Sequence, residues 1–126
     1  MSKRNKIIYW VATIWLSLGM VSSGLVQLLA IDEEVALMNR LGYPRYLLLL
    51  LGISKLFGVI AVLIPRFTMI KEWAYAGFFF IMAGAIFSHL AVGDPAIEFF
   101  GPTLLLVLTL TSWYFRPPTR KTLTAQ

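Results

Sequence analysis

The sequence predicts an all-α membrane protein, a bundle of four transmembrane helices that run up, down, up and down. Hydrophobic residues make up 59% of the 126-residue chain and charged residues only 13%, whereas soluble domains are about half apolar and a quarter charged. Four apolar segments approach or exceed the length that crosses a hydrocarbon core of about 30 Å at about 1.5 Å per residue. A chain of this length is expected to form one membrane domain over residues 1–126.

The four spanning segments follow from the apolar runs and the residues that end them. They are expected over residues 7–29, 46–64, 73–92 and 95–115. The first is longer than the apolar core of about 7 to 15 residues in a signal peptide, so we expect it to be retained as a helix. The fourth begins early because Asp94 and Pro95 are typical of an N-cap and a first helical residue. Pro102 is then expected to kink this helix.

A short amphipathic helix is predicted on the outer membrane surface over residues 32–41. Acidic residues begin it, apolar residues recur on one stripe, and Gly42 with Pro44 ends it. A solvated loop with a turn at residues 42–44 is the alternative. The polar residues 117–126 are expected to form a flexible tail.

Lys and Arg residues are distributed unequally between the two ends of the predicted bundle. Eight of the eleven lie on the side that holds both termini, and the opposite side has only Arg40 and Arg45. The positive-inside rule therefore places both termini in the cytoplasm. On that side, Lys71 to Trp73 are expected to anchor the third helix at the membrane interface. Because the basic residues form no stripe or known binding motif, a nucleic-acid partner is not expected.

Small residues recur on the predicted helices and are expected to mark contact faces, since they let backbones approach closely in lipid. They also leave room for a homo-oligomer. The residues are Ala12, Gly19 and Ser23 on the first helix, Gly52 and Gly58 on the second, and Gly77, Gly84 and Ser88 on the third.

Lys55 is the one charged residue within the second spanning segment. A lysine facing lipid near mid-bilayer costs at least about 2.5 to 3.5 kcal/mol, so we expect Lys55 to face the other helices. Gly52 and Gly58 lie on the same helical stripe and support this position. Because side chains lean towards the N-terminus of their helix, Lys55 is expected to reach the same depth as Gln27 and His89.

A polar cluster is therefore predicted in the outer half of the bundle. Its members are Ser22, Ser23, Gln27, Lys55, His89, Asp94 and Glu98. In a structural interpretation, Lys55 pairs with Glu98 or Asp94 and the cluster fixes helix packing. In a functional interpretation, the cluster lines a pocket for a polar head group, entered from the outer side or from the lipid, since ionisable residues inside membranes often mark functional sites.

Several chemistries are excluded by composition. The chain has no cysteine, which excludes thiol nucleophiles, iron–sulfur ligation and Cys-type zinc sites. Its single histidine cannot supply two axial haem ligands, and the carboxylates lack metal-ligand spacing with it, so no metal site is expected. Phosphate-binding loops and nucleophile elbows are absent from the sequence. No catalytic site is predicted, and any electron transfer requires a bound molecule.

Three motifs, LGISKLFG at 51–58, KEWAYAGF at 71–78 and SHLAVGD at 88–94, belong to a longer stretch over residues 41–94. This stretch resembles the DoxX-like family of small bacterial four-helix membrane proteins, and the Ser23-Gly24 pair of the first helix fits as well. The resemblance implies the bacterial inner membrane and a link to respiratory or oxidative-stress chemistry. Relatives include a subunit of a thiosulfate:quinone oxidoreductase and a component of a membrane oxidoreductase complex.

These observations lead to one main functional hypothesis and two alternatives. We expect an inner-membrane subunit, non-catalytic or dependent on a cofactor, whose pocket around Lys55 and His89 binds a small amphiphile such as a quinone or lipid. As an enzyme, it is at most a subunit of a membrane oxidoreductase. One alternative is a structural or assembly partner of a larger membrane complex with no ligand of its own. The other is a transporter, which with four helices requires oligomerisation.

Overall fold

The computed structural model describes residues 2–120, and this part of the chain forms helices, turns and loops without a β-strand. Its α-helices are α1 (Lys3–Leu28), α2 (Asp32–Leu41), α3 (Leu47–Leu63), α4 (Thr68–Ala91) and α5 (Phe100–Tyr114). Short 3-10 segments, Ala96–Phe99 and Pro118–Arg120, precede and follow α5. The predicted short helix over residues 32–41 is thus present as α2, and the loop alternative is wrong.

Three helical stretches are long and apolar enough to cross a membrane. They are α1 with 26 residues, α4 with 24, and Ala96–Tyr114 with 19. Helix α3 is more apolar than these stretches but has 17 residues, or about 25 Å of helix. It ends early because Pro65 disfavours helical geometry at the residue before it, and Ile64 is extended with ψ 149°. The predicted spanning length is therefore found in three of the four segments.

The apolar core lies where the four long helices meet. Helix α1 packs against α3 and α5, and α4 packs against the same two helices. The core side chains are Ala12, Leu16, Met20, Val59, Val62, Tyr75, Phe78, Met82 and Leu108. Large apolar side chains also cover the outer surface, among them Leu18, Phe57, Phe80 and Phe87. So extensive an exposed apolar surface is typical of a protein that faces lipid.

The backbones of α1 and α3 approach each other closely at Gly24 and Gly52. A Cβ atom added at Gly52 would lie 2.8 Å from the carbonyl oxygen of Gly24 and 2.7 Å from Cγ of Leu28. Only glycine fits this contact without a shift of one helix. Gly52 therefore lies at a helix contact, as the sequence predicts.

The other glycines divide into two groups. A Cβ atom at Gly19 or Gly58 would meet side chains of α5 and α4 at 2.7 and 2.5 Å, so these two also lie at helix contacts. At Gly77 and Gly84 it would meet nothing within 4 Å. The prediction that these two glycines of α4 mark a contact face is wrong.

Helix α4 begins at Thr68, five residues before the predicted start at Trp73. Lys71 is consequently not an interfacial anchor but a buried residue, with 1% of its surface exposed. Its ammonium group donates to the carbonyl oxygens of Ala61, at 2.8 Å, and Ile64. Because the last carbonyl groups of a helix lack partners within it, a lysine at the end of α3 satisfies groups that would otherwise be unpaired.

The entry into α5 differs from the prediction. Pro95 is extended, with ψ 161°, and the chain first forms the 3-10 segment before α5 begins at Phe100. Asp94 is not an N-cap, because its carboxylate is bound by side chains described below. Pro102 lies in the first turn of α5, where a missing N–H breaks no intrahelical hydrogen bond. The predicted kink inside the helix therefore has no basis.

The C-terminal segment contacts the end of α3. Arg120 donates a hydrogen bond to the carbonyl oxygen of Val62 at 3.0 Å, and its guanidinium lies 4.9 Å from the ring centre of Trp10. Arg120, which falls in the predicted tail over residues 117–126, thus contacts the bundle. The rest of that predicted tail, residues 121–126, lies outside the described residues.

Candidate ligand cavity

A cavity of about 500 Å³ lies at the end of the bundle that α2 covers. This volume is within the range of about 300 to 1,000 Å³ typical of small-molecule sites. All five α-helices contribute to the lining, and most of the wall is apolar. Its polar side chains are Ser23, Gln27, Glu34, Tyr43, Lys55, Ser88, His89 and Glu98. Of the predicted polar cluster, Asp94 and the exposed Ser22 do not line the cavity.

Lys55 is buried between α1 and α3, with 4% of its surface exposed. The predicted inward orientation is therefore confirmed. Its Nζ atom donates to Ser23 Oγ at 2.7 Å. Within the described residues it forms no salt bridge with Asp94 or Glu98, so the predicted pairing is wrong. The ammonium group has one neutral hydroxyl partner and donor capacity to spare, since a lysine carries three N–H groups.

Gln27 and Glu34 each present an unpaired oxygen. Gln27 is 6% exposed, and neither its Oε1 atom nor Oε2 of Glu34 has a hydrogen-bond partner among the described residues. Both residues line the cavity together with Lys55. Sequence reasoning assigned Glu34 only to the first turn of a helix. The signal that could have identified it is its spacing from Met38 and Leu41, four and seven residues later, which places it on the covered face of α2.

The imidazole of His89 is oriented by the carboxylate of Asp94, which contacts its Nδ1 atom. The chain turns back at Gly93, whose φ of +78° favours glycine, and the Asp94 N–H donates to the His89 carbonyl oxygen at 2.9 Å. The Asp94 carboxylate then lies 2.6 Å from His89 Nδ1 and binds Arg40 on α2. Arg40 also lies 3.7 Å from Glu98. Asp94 thus positions the imidazole, whose Nε2 remains free of this pair.

Two side chains, one on α2 and one in the turn that follows it, connect this part of the chain to the C-terminal end of α4 and the turn after it. One is Arg40, through Asp94. The other is Tyr43, whose hydroxyl lies 2.5 Å from Ser88 Oγ. Because the Ser88 hydroxyl donates to the Gly84 carbonyl oxygen at 2.8 Å, Tyr43 is the donor in this pair. The sequence analysis identified neither of these two contacts, which hold α2 over the cavity.

The cluster of Asp94, His89 and Arg40 is expected to make the stability of the fold fall at acidic pH. Hydrogen bonds from His89 and then Arg40 hold the pKa of Asp94 below its ordinary value of 3.8. Since the folded pKa is the lower one, the cluster stabilises the fold above about pH 4 and loses this effect as pH falls through the folded pKa. We expect the melting temperature of the detergent-solubilised protein to fall over this range, and less so for Asp94→Asn. Identical pH profiles of the two proteins would contradict this role.

Exposed lining residues on both α4 and α5 place an opening of the cavity between these two helices. Gly84 of α4 and Gly101 of α5 line it, and a Cβ atom at either would meet nothing within 4 Å. Phe80, one turn away and 71% exposed, also lines it. The same Phe80 lines a second groove of about 300 Å³ that follows α4 and α5 past Ala76 and Leu110. The cavity with its polar side chains and the apolar groove are therefore adjacent on the face of the bundle that α4 and α5 form.

The lining offers hydrogen-bonding groups rather than metal ligands. In the part of the chain that the structure describes, no three His, Cys, Asp or Glu side chains group to hold a metal ion. The cavity presents an ammonium donor on Lys55, acceptor oxygens on Gln27 and Glu34, and an imidazole on His89. Such a set can bind a polar head group within an apolar wall.

Comparison with known proteins identifies one family. The model of the DoxX-like family matches residues 11–112, which include most of every long helix and the residues around the cavity. No curated protein and no solved structure matches the chain.

Proposed function

We propose that this chain, a member of the DoxX-like family, binds a small amphiphile. It is a membrane protein, because members of this family lie in membranes and its long helices are apolar enough to span one. The ligand's polar head group lies in the cavity under α2, and its apolar tail leaves between α4 and α5. A quinone or a lipid has this shape. In this proposal the protein serves as an accessory subunit in membrane redox or stress chemistry.

The proposed setting is the bacterial inner membrane, with both termini in the cytoplasm. The proposed arrangement is a single domain of four crossings in up-down-up-down order, in which α3 is the shortest crossing. Its 17 residues are at the lower end of the spanning range of about 17 to 25. Since the chain has no cysteine, single cysteines report topology directly. An impermeant maleimide should label Arg45→Cys from outside, and Ser2→Cys only after permeabilisation.

The observation that carries the ligand proposal is the sideways opening of a polar-lined cavity. A water-soluble ligand would enter from the solvent. An opening between the outward apolar faces of two helices instead admits a molecule from the lipid. Gly84, Gly101 and Phe80 form such a mouth, and the groove beyond Phe80 is lined mainly by apolar side chains. The cavity therefore fits a molecule with one polar and one apolar end.

The side chains have distinct proposed roles. Lys55 donates to an oxygen of the head group while Ser23 fixes the ammonium at 2.7 Å. Gln27 accepts a hydrogen bond from the ligand. His89, oriented by Asp94, contacts the ligand through its free ring nitrogen. Glu98 lies at the solvent-exposed edge of the cavity.

Replacing Lys55 with methionine tests the proposal. This change removes the ammonium but keeps a similar length. Loss of a charged hydrogen bond, about 1.5 to 3 kcal/mol, should weaken quinone or lipid binding to the purified protein by about 10- to 100-fold. Lys6→Met, at an exposed position of α1, is the control and should bind as the unmodified protein does. Equal binding by both variants, with preserved melting temperatures, rejects the ligand role of Lys55.

The alternative function is a structural or assembly partner of a larger membrane complex. The hydrogen bond from Lys55 to Ser23 favours it, because this bond joins α1 to α3 and could serve packing alone. In that case Lys55→Met leaves partners attached or only lowers the melting temperature. A protein partner, without co-purified quinone or lipid, is then recovered by cross-linking in native membranes. A second copy of the chain is one such partner.

A further inference from the structure

The unpaired oxygens of the cavity restrict what the head group can be. Oε1 of Gln27 and Oε2 of Glu34 are both buried and have no hydrogen-bond partner in the described part of the chain. Both residues line the cavity, and Gln27 is more than nine-tenths buried. A buried acceptor without a donor is costly, so native proteins rarely leave one unpaired. Two such acceptors at one cavity indicate a ligand that supplies donors.

Neighbouring donors already have other partners. The Tyr43 hydroxyl donates to Ser88, and the Ser88 hydroxyl donates to the Gly84 carbonyl oxygen. Nδ1 of His89 is paired with Asp94. Lys55 reaches Ser23 and keeps spare donor capacity, but in this arrangement it reaches neither Gln27 nor Glu34. The lining thus combines one available cationic donor with two unused acceptors.

We infer that the bound amphiphile carries at least two O–H or N–H donors together with an acceptor oxygen on its head group. Gln27 and Glu34 accept from these donors, and Lys55 donates to the oxygen. This inference rests on the proposed function and selects among amphiphiles. An ethanolamine phospholipid satisfies it with its ammonium and phosphate, and a quinol satisfies it with two hydroxyl groups. A choline phospholipid and a quinone lack the donors.

Matched pairs of ligands test the inference. The purified full chain is titrated with phosphatidylethanolamine and phosphatidylcholine of identical acyl chains, and with a quinol and the quinone of identical tail, with native mass spectrometry as the readout. Because the chain has no cysteine, a reductant that keeps the quinol reduced breaks no disulfide in the protein. We expect the donor-bearing member of at least one pair to bind about tenfold more tightly or better. The pair that discriminates identifies the chemical source of the donors.

Gln27→Met provides the matched variant, since it keeps a similar length but has no acceptor oxygen. It should reduce the preference within the discriminating pair severalfold, whereas Asn39→Met, which removes an exposed amide of α2, should not. Equal binding within both pairs overturns the inference but leaves the proposed function standing. In that case water molecules, rather than the ligand, donate to Oε1 of Gln27 and Oε2 of Glu34. An unchanged preference in Gln27→Met also overturns it. Failure of all four ligands to bind overturns the proposed function itself.

Discussion

Replacing Gly84 with leucine should weaken amphiphile binding by tenfold or more without unfolding the protein. Gly84 lines the mouth of the cavity, and a Cβ atom there would meet nothing within 4 Å. The Cβ atom of a substituted residue therefore displaces no neighbour, and we expect the longer leucine side chain to extend into the opening. Because the head group then has no path between α4 and α5, we expect affinity for a bound quinone or lipid to fall by tenfold or more, or about 1.4 kcal/mol or more.

Gly77→Leu is the matched control for this experiment. Gly77 lies seven residues before Gly84, on the same face of α4, and it too has open space around its Cβ position. It does not line the cavity. Both variants replace glycine with a better helix former, so neither should melt at a lower temperature than the unmodified protein. Normal binding by Gly84→Leu, or equal losses in both variants, would contradict the lateral opening.

Gly52→Ala should destabilise the protein strongly although it adds one methyl group. The new Cβ atom would lie 2.8 Å from the carbonyl oxygen of Gly24. A backbone atom of a packed helix cannot move aside as a flexible side chain can, so α1 and α3 must separate. Overpacking of this kind costs about 1 to 3 kcal/mol. Separation should also disturb the hydrogen bond between Lys55 and Ser23.

Thermal unfolding in detergent, followed by circular dichroism, measures this effect. Gly77→Ala is the control, since it places the same methyl group in open space and should stabilise its helix by up to about 1 kcal/mol through helix propensity. The two alanine variants are thus expected to shift the melting temperature in opposite directions. A Gly52→Ala protein as stable as the unmodified one would show that the α1–α3 contact is looser than described.

Burial of Lys55 could be predicted from the sequence because a single physical term dominates. An ammonium group in hydrocarbon is so costly that the helix must turn it inwards. The direction in which side chains lean along a helix then brings Gln27 and His89 to the same depth, and the structure places both on the cavity that Lys55 lines. The partner of Lys55 was not predictable, because several polar groups lie within reach and only packing selects Ser23.

Other features depend on contacts between distant segments. A glycine at a helix contact and a glycine at a cavity opening are the same residue type. The sequence therefore could not show that Gly52 lies at a contact and Gly84 at an opening. Asp94 before Pro95 is typical of an N-cap, but Arg40 of α2 and the turn at Gly93 direct its carboxylate to His89 instead. Capping rules are local and do not include such partners.

The most direct test of the central claim is to map where an amphiphile contacts the protein in the membrane. A phospholipid or quinone analogue with a photoreactive group in its tail, next to the head group, is cross-linked in vesicles and the modified residues are identified by mass spectrometry. We predict adducts concentrated at residues 80–85 and 101–105 and lost in the Gly84→Leu protein. Adducts spread equally over outward residues of α1, such as Ile14 and Leu18, would show a general lipid contact and contradict the cavity as a binding site.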